Sequence, residues 1–217
     1  MLWVVGCLAG MALSAAGFVW YRLSNPSYGH LALPGRLIST ESPEGRRMLA
    51  EAEARADHVA LTRWFVSQEK LSWCGPASAT IVLNALFSPP AGEALTQREV
   101  FTHEGRGCFA TSLKGMSLDD VSGILRAHGA VAEVVHAADT NFLSFRGVAS
   151  ANLADPDDFL VVNYDRSVLG QAGEGHISPL AAWDQDTKRF LVLDTAAYRY
   201  PPTWVSATDL WAAMDTV

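Results

Sequence analysis

Residues 73–86 read Trp-Cys-Gly-Pro-Ala-Ser-Ala-Thr-Ile-Val-Leu-Asn-Ala-Leu, a cysteine followed by a long and mostly apolar run. Pro76 suits the first turn of a helix, because the N–H that proline lacks would have no partner there. The pattern therefore predicts a helix over residues 74–87 that begins at Cys74. Its apolar side chains extend around most of the circumference, so this helix should be buried.

A cysteine at a helix N-terminus is suited to nucleophilic chemistry. The helix dipole and the unpaired N–H groups of the first turn favour the thiolate, which is the nucleophilic form of cysteine. Gln68, six residues upstream of Cys74, could donate a side-chain N–H toward the same point, as half of an oxyanion hole does. The alternative is a buried structural cysteine, since a free cysteine packs as a small hydrophobic residue.

A histidine and an aspartate in the second half of the chain supply candidate partners for Cys74. His176 begins one predicted strand and Asp194 ends the next. If the hairpin loop is residues 184–186, so that Trp183 pairs with Thr187, the two side chains stand opposite each other on one face; an even-length loop puts them on opposite faces. In the first register Asp194 holds one ring nitrogen of His176, and the other nitrogen takes the thiol proton. Without Cys74, both would be interpreted as ordinary polar residues.

The predicted elements are mainly helical first and β afterwards. Besides the helix at 74–87, helices are expected over residues 43–57, 96–100, 117–128 and 139–154. Strands are expected over residues 131–136, 159–164, 176–183 and 188–194, and a loop over residues 102–116. This order predicts an α+β domain, with a helical N-terminal half and the Cys74 helix packed on an antiparallel sheet.

Length, charge and cysteine content exclude several classes of protein. The 217 residues suffice for one domain with a core, and the net charge of −7 gives no electrostatic basis for nucleic-acid binding. Cys7, Cys74 and Cys108 are too few and too scattered for a disulfide framework or a zinc site. Cys108 is interpreted as an idle or buried thiol in preference to a metal contact.

The first twenty residues carry no charge and are mostly apolar, which is about the length of a membrane-crossing helix. The positive charge that usually opens a cleaved signal peptide is missing. We therefore expect residues 1–22 to be a membrane anchor or export signal, residues 23–58 an arm with a polar helix, and residues 59–217 the catalytic domain. The expected location is membrane-anchored or exported, on the periplasmic side of a bacterial cell in preference to the cytoplasm.

Several segments resemble those of phytochelatin synthases. The similarity includes the Cys74 segment and continues, in order, through residues 115–119, 162–166, 169–171, 173–180 and 194–205. It covers roughly residues 60–217 and is greatest to the short bacterial members, which lack the Cys-rich C-terminal domain of the plant enzymes. In those relatives a further strand and an arginine-bearing segment that grips the γ-glutamyl end follow the position of Val217.

The resemblance implies a papain-like cysteine protease fold with the nucleophile helix packed on an antiparallel sheet. It implies a triad of Cys74, His176 and Asp194, with Gln68 at the oxyanion position. Residues expected to bind substrate lie in the matching segments: Arg166, Asn163, Tyr164 and Gly175. The triad also predicts that Asp194→Asn keeps the fold and loses rate, because an amide orients the imidazole but stabilises its charged form less.

The resemblance further implies an activity on glutathione. Members of the family cleave its Cys–Gly bond and hold γ-Glu-Cys as a thioester on the cysteine. A second glutathione then accepts the acyl group to give phytochelatin, or water accepts it in hydrolysis. The implied partners are glutathione and Cd²⁺ or Zn²⁺ carried as glutathione thiolate complexes, with no tightly bound cofactor and no metal site in the protein; a homodimer is left open.

Two other functions are compatible with parts of the sequence. A leader-peptide-cleaving papain-like protease shares the order of glutamine, cysteine, histidine and aspartate, although the segments 170–176 and 200–204 argue against it. An inactive membrane-attached metal–thiolate binding protein would keep the fold without the chemistry, although the complete triad argues against that. Release of glycine from glutathione separates the three.

Overall fold

The computed structural model describes residues 14, 17–18, 20–21, 25–26, 29–90, 92–101, 107–156 and 158–216. The expected membrane anchor at residues 1–22 lies for the most part outside these residues. Among the residues that are described, no helix combines the length and the apolar character needed to cross a bilayer.

A five-stranded antiparallel sheet forms one layer of the domain. Its strands are β1 (Ile38–Ser39), β2 (Val161–Asp165), β3 (Gly175–Asp184), β4 (Arg189–Val192) and β5 (Thr203–Ser206). They pair in the spatial order β1-β5-β4-β3-β2, and every neighbouring pair is antiparallel. The three strands predicted in the second half of the chain are therefore confirmed, with bounds that differ by a few residues.

The helices of the described chain mostly precede β2. They are α1 (Pro43–Glu51), α2 (His58–Arg63), α3 (Cys74–Phe87), α4 (Cys108–Lys114), α5 (Leu118–Ala127), α6 (Phe142–Asn152) and α7 (Ala207–Met214), with a 3₁₀ turn at Ala137–Asp139. The expected α+β fold class is confirmed. The predicted helix at 74–87 has the same bounds in the structure, because its start and stop signals are local.

Helix α3 is held in the interior between the sheet and helix α5. Every residue from Cys74 to Ala85 is buried. Its polar side chains are satisfied, since Ser78 Oγ donates to the carbonyl of Ile177 in β3 at 3.1 Å and Thr80 Oγ1 donates back to Pro76 O at 2.8 Å. Because buried polar groups without partners are costly, these bonds let α3 pack directly on β3 and fix the position of its first residue.

The β3–β4 hairpin differs from its predicted register. Trp183 pairs with Phe190 rather than with Thr187, so the loop is residues 185–188 and not 184–186. A loop of this even length, taken alone, would place the candidate histidine and aspartate on opposite faces of the sheet.

A β-bulge in β3 returns the two side chains to a common face. The pairing shifts by one residue between Leu180 and Ala182, which makes Ala181 an extra residue in β3. One extra residue exchanges the faces to which the side chains of β3 point on the far side of the bulge. This offsets the effect of the even-length loop. Asp194, which follows the end of β4, then reaches His176 diagonally.

Four other predicted elements were wrong in whole or in part, and one of them is the helix expected over 96–100, where residues 97–100 form turns. Residues 131–136 form no strand, and Val131 and Val135 project into solvent. The described part of the expected loop at 102–116 contains α4, and the helix expected over 43–57 ends at Glu51. A short alternating pattern predicts a strand only where another strand is available to pair with it.

Candidate active site

Cys74 is the first residue of α3 and is 8% exposed. The packing of its helical neighbour explains the glycine at position 75. A Cβ on Gly75 would lie 3.1 Å from both Met116 Cβ and Val121 Cγ2, which is tighter than ordinary van der Waals contact. Glycine therefore allows the start of α3 to approach the beginning of α5 closely.

The surroundings of Cys74 favour its thiolate. Burial by itself raises the pKa of the Cys74 thiol, but a hydrogen bond to His176 and the charge of that imidazole lower it, and backbone hydrogen bonds of Ile177 and Gly75 lower it further. The net pKa lies below the ordinary thiol value. This is the environment in which a cysteine acts as a nucleophile.

His176 lies in β3 between the thiol and a carboxylate. Its Nε2 is 3.0 Å from Asp194 Oδ1, both side chains are buried, and its ring packs edge-on against Tyr164 with centroids 5.6 Å apart. Burial lowers the pKa of His176, whereas the charge of Asp194 and the hydrogen bonds to Asp194 and Cys74 raise it, and the net pKa is above the ordinary value. The structure thus brings together Cys74, His176 and Asp194 as the sequence predicts.

Asp194 receives three donors on one carboxylate oxygen. Oδ1 accepts from Arg166 Nη2 at 2.5 Å, from the backbone N–H of Ala196 at 2.8 Å and from His176 Nε2 at 3.0 Å. Burial raises the pKa of Asp194, but the charges of His176 and Arg166 outweigh it and hold the pKa at about 2. The carboxylate is therefore ionised at neutral pH and can stabilise a charged imidazole.

Arg166 lies beneath this pair rather than at an open surface. It is 2% exposed, and its guanidinium lies over the Tyr200 ring at 5.4 Å. A Cβ on Gly173, whose φ is +114°, would come within 3.2 Å of Arg166 Cδ. The left-handed backbone at Gly173 suits glycine and leaves room for the arginine stem. Sequence reasoning missed the ion pair to Asp194, because nothing local to Arg166 signals it.

The other predicted substrate-binding residues fall in different places. Tyr164 pairs with His176 across β2 and β3 and is buried on the same face. Asn163 pairs with Ile177, so its side chain lies on the opposite face of the sheet. Gly175 is exposed at the start of β3. A direct role in substrate binding stays a prediction for all four residues, Arg166 included.

Gln68 is buried next to the segment that leads into Cys74. Its Nε2 lies 2.8 Å from Lys70 O, 2.9 Å from Leu71 O and 3.2 Å from the Tyr198 hydroxyl. The two carbonyls fix which end of the amide carries the hydrogens. In this arrangement the N–H groups shape the loop before α3, and the oxyanion role stays a prediction.

The remaining thiol in the described residues does not belong to the site. Cys108 is exposed at the start of α4. Within the described part of the chain, no group of three or more His, Cys, Asp or Glu side chains is placed to hold a metal ion.

A cysteine at a helix start, packed on an antiparallel sheet that supplies a histidine and an aspartate, defines a papain-like α+β protein. A family model described as phytochelatin synthase matches residues 28–217, and the chain belongs to that family.

The curated relatives that the chain resembles are named glutathione gamma-glutamylcysteinyltransferase. The chain is 31% identical over 187 residues to glutathione gamma-glutamylcysteinyltransferase 3 of Lotus japonicus, a match that covers 83% of this chain and 39% of the relative. It is 31% identical over 186 residues to glutathione gamma-glutamylcysteinyltransferase 1 of Triticum aestivum, covering 82% and 37%. The enzyme of that name from Schizosaccharomyces pombe is 24% identical over 189 residues, covering 84% and 46%. The chain thus spans less than half the length of these relatives.

Proposed function

We propose that this chain cleaves glutathione at its Cys–Gly bond and carries γ-Glu-Cys as a thioester on Cys74. The observation that carries the proposal is the contact series from Cys74 through His176 to Asp194 in a member of the phytochelatin synthase family. The names of the curated relatives support glutathione as the substrate and γ-glutamylcysteinyl transfer as the reaction.

In the first half of the reaction, the Cys74 thiolate attacks the carbonyl carbon of the cysteine residue in glutathione. A tetrahedral oxyanion forms near the N-terminus of α3, where the backbone N–H of Cys74 is a candidate donor. Protonated His176 then gives its proton to the nitrogen of the departing glycine, and the C–N bond breaks. Asp194 stabilises the imidazolium before this transfer and keeps the ring in place.

In the second half, the thioester passes to an acceptor. A second glutathione attacks through its α-amino nitrogen to give phytochelatin, or water attacks to give free γ-Glu-Cys. His176, now neutral, accepts and keeps the proton of the attacking group, and Cys74 leaves as the thiolate when the thioester C–S bond breaks. Either acceptor regenerates the starting enzyme.

The proposed oxyanion role of Gln68 requires a change in its present hydrogen bonds. Its two N–H hydrogens already face three protein acceptors, so one must be shared with the oxyanion or turn toward it. Loss of one such donor typically costs about 3 kcal/mol in the transition state. Gln68→Ala tests the role: a loss confined to kcat supports it, while an equal loss in folding stability would show that the amide serves the loop instead.

The direct test of the reaction measures glycine release from glutathione. Cys74→Ala and His176→Ala should each abolish it, while Cys108→Ala, which alters the exposed thiol, should retain most of it. Glycine release that survives in Cys74→Ala would eliminate the mechanism. Cleavage of peptides without action on glutathione would favour the leader-peptide protease instead.

For the acceptor, we propose that hydrolysis outruns phytochelatin formation at modest glutathione concentrations. The outcome depends on how well the site excludes water and orients the second amine. Cd²⁺ or Zn²⁺ would act by forming glutathione thiolate complexes that serve as acceptors, since thiolates are preferred ligands of soft metal ions. Chromatography of the products with and without cadmium tests this. Dominant phytochelatin synthesis in metal-free buffer, or tight stoichiometric metal binding by the protein, would contradict it.

For location, we propose that residues 1–22 attach the chain to a membrane. The support is the uncharged apolar span in the sequence. The full chain should float with lipid vesicles on a density gradient, whereas a chain that begins at Asn25 should stay behind. Equal flotation of both chains, or of neither, would remove the proposal.

A further inference from the structure

Thr195, the residue after Asp194, contacts both halves of the candidate site. It has no exposed surface. Its Oγ1 lies 3.4 Å from His176 Nε2, 3.5 Å from Gln68 Oε1 and 3.2 Å from Ile177 O. One hydroxyl therefore touches the imidazole that serves Cys74 and the amide of the candidate oxyanion residue.

The direction of these hydrogen bonds follows from the carboxylate. Because ionised Asp194 can only accept, His176 Nε2 carries the hydrogen between them. Thr195 Oγ1 then presents a lone pair to the same N–H and directs its own hydrogen to Ile177 O or to Gln68 Oε1. The hydroxyl is thus a second acceptor for the imidazole, and its one hydrogen is shared between Ile177 O at 3.2 Å and the carbonyl end of the Gln68 amide at 3.5 Å.

The main chain of Thr195 is held by separate bonds. Its N–H donates to Ser178 Oγ at 3.2 Å, and its carbonyl accepts from the backbone N–H of Gln68 at 2.8 Å. Removing the hydroxyl therefore leaves the backbone links between the Gln68 segment and β3 in place. The contribution of the hydroxyl can be measured apart from that of the loop.

We propose that Thr195 is a positioning residue whose hydroxyl holds the His176 ring and the Gln68 amide in a fixed relation around Cys74. It touches neither substrate nor the reacting atoms and acts through those two side chains. Its expected effect on turnover rests on the proposed function, whereas its effect on the reactivity of Cys74 does not.

The kinetic test compares Thr195→Val, which keeps the shape and removes the hydroxyl, with Thr195→Ser, which keeps the hydroxyl. Thr195→Val should lower kcat for glycine release about 5- to 10-fold, the size expected for one neutral hydrogen bond, with little change in KM. Thr195→Ser should restore kcat to within about twofold of the unchanged protein, because the hydroxyl returns. Should Thr195→Val not fold, Thr195→Ala is measured against Thr195→Ser in the same way.

A second readout needs no glutathione. The pH dependence of Cys74 alkylation by iodoacetamide, followed by peptide mass spectrometry to separate Cys74 from Cys108, reports the thiolate directly. Without the second acceptor, charged His176 is less stable and supports the thiolate less, so the alkylation midpoint in Thr195→Val should move to higher pH. This shift is expected even if glutathione is not the substrate, which separates failure of the proposed function from failure of this inference.

The matched control is Thr80→Val in α3. Thr80 is also fully buried, but its Oγ1 donates to Pro76 O within its own helix. This variant should leave kcat and the alkylation midpoint unchanged. The proposal is overturned if Thr195→Val keeps both quantities, if Thr195→Ser loses as much as Thr195→Val, or if Thr80→Val has the same effect.

Discussion

At the scale of single residues, the ion pair between Asp194 and Arg166 changes what a substitution of the triad carboxylate should do. The sequence predicts that Asp194→Asn keeps the fold and loses rate. In the structure the variant also leaves the Arg166 guanidinium, 2% exposed, without the carboxylate at 2.5 Å. We therefore expect a loss of about 3 kcal/mol in the free energy of unfolding as well, since an uncompensated buried charge is costly.

Urea denaturation checks this, and a double variant supplies the control. Arg166→Gln combined with Asp194→Asn removes both charges and should be more stable than Asp194→Asn alone. A single Asp194→Asn variant as stable as the unchanged protein would show that the ion pair does not hold the site together.

The thiolate of Cys74 predicts a pH dependence. The pKa of Cys74 is lowered and that of His176 is raised, so the thiolate should persist at pH values below the ordinary thiol pKa of about 8.5. Alkylation of Cys74 should therefore have its midpoint below that value. In His176→Ala the hydrogen bond and the charge that lower the pKa are lost while burial still raises it, so the midpoint should move up. An unchanged midpoint in the variant would mean that His176 does not activate Cys74.

At the scale of elements, the sequence predicted correctly those features whose determining residues are close together in the chain. Helix α3 could be placed to the residue because its proline and its apolar run are contiguous. The hairpin register could not, because nothing in the local sequence marks Ala181 as the extra residue of a bulge. The contact between His176 and Asp194 was therefore predicted from a hairpin register that the structure does not have. The ion pair of Arg166 was missed, because it joins the end of β2 to the end of β4.

Helix α4, also missed, supports the start of α3. Trp73, the residue before Cys74, is buried and donates its indole N–H to Ser112 Oγ at 2.9 Å. Ser112→Ala leaves that N–H without this acceptor and should lower the free energy of unfolding by about 1 to 2 kcal/mol. Thermal denaturation followed by tryptophan fluorescence measures it.

Ser150→Ala is the matched control for this change. Ser150 lies in α6, and its hydroxyl donates to Gly147 O in its own helix, as that of Ser112 donates to Cys108 O. Only Ser112 also accepts the indole N–H of Trp73. Ser150→Ala should therefore cost little stability. If both variants lose the same amount, the bond between Trp73 and Ser112 contributes nothing beyond the helix itself.

At the scale of the whole molecule, the N-terminal arm is part of the domain surface near the site. Asn25 Oδ1 accepts from Lys70 Nζ at 2.6 Å, Gly29 N–H donates to Tyr198 O at 3.4 Å, and Leu31 N–H donates to Arg199 O at 2.9 Å. The sequence predicted an arm over residues 23–58 and indicated none of these contacts. The arm contacts the loop before Cys74 and the loop after Asp194.

These contacts predict that the position of truncation matters. A chain that begins at Asn25 should keep its stability, whereas one that begins at Leu33 should lose about 2 kcal/mol, the value of two backbone hydrogen bonds, together with part of its activity. Urea denaturation and glycine release measured on both chains decide this. Equal stability and activity of the two chains would show that the contacts of residues 25–32 contribute to neither property.

The central claim is that glutathione acylates Cys74, and intact-protein mass spectrometry after brief mixing with glutathione tests it most directly. The account predicts a mass gain equal to one γ-glutamylcysteinyl group, located on the Cys74 peptide, lost on treatment with hydroxylamine and missing from Cys74→Ala. Glycine should appear in the same amount as the adduct in the first turnover. Glycine release with no adduct on Cys74, or an adduct that maps to Cys108, would contradict the account.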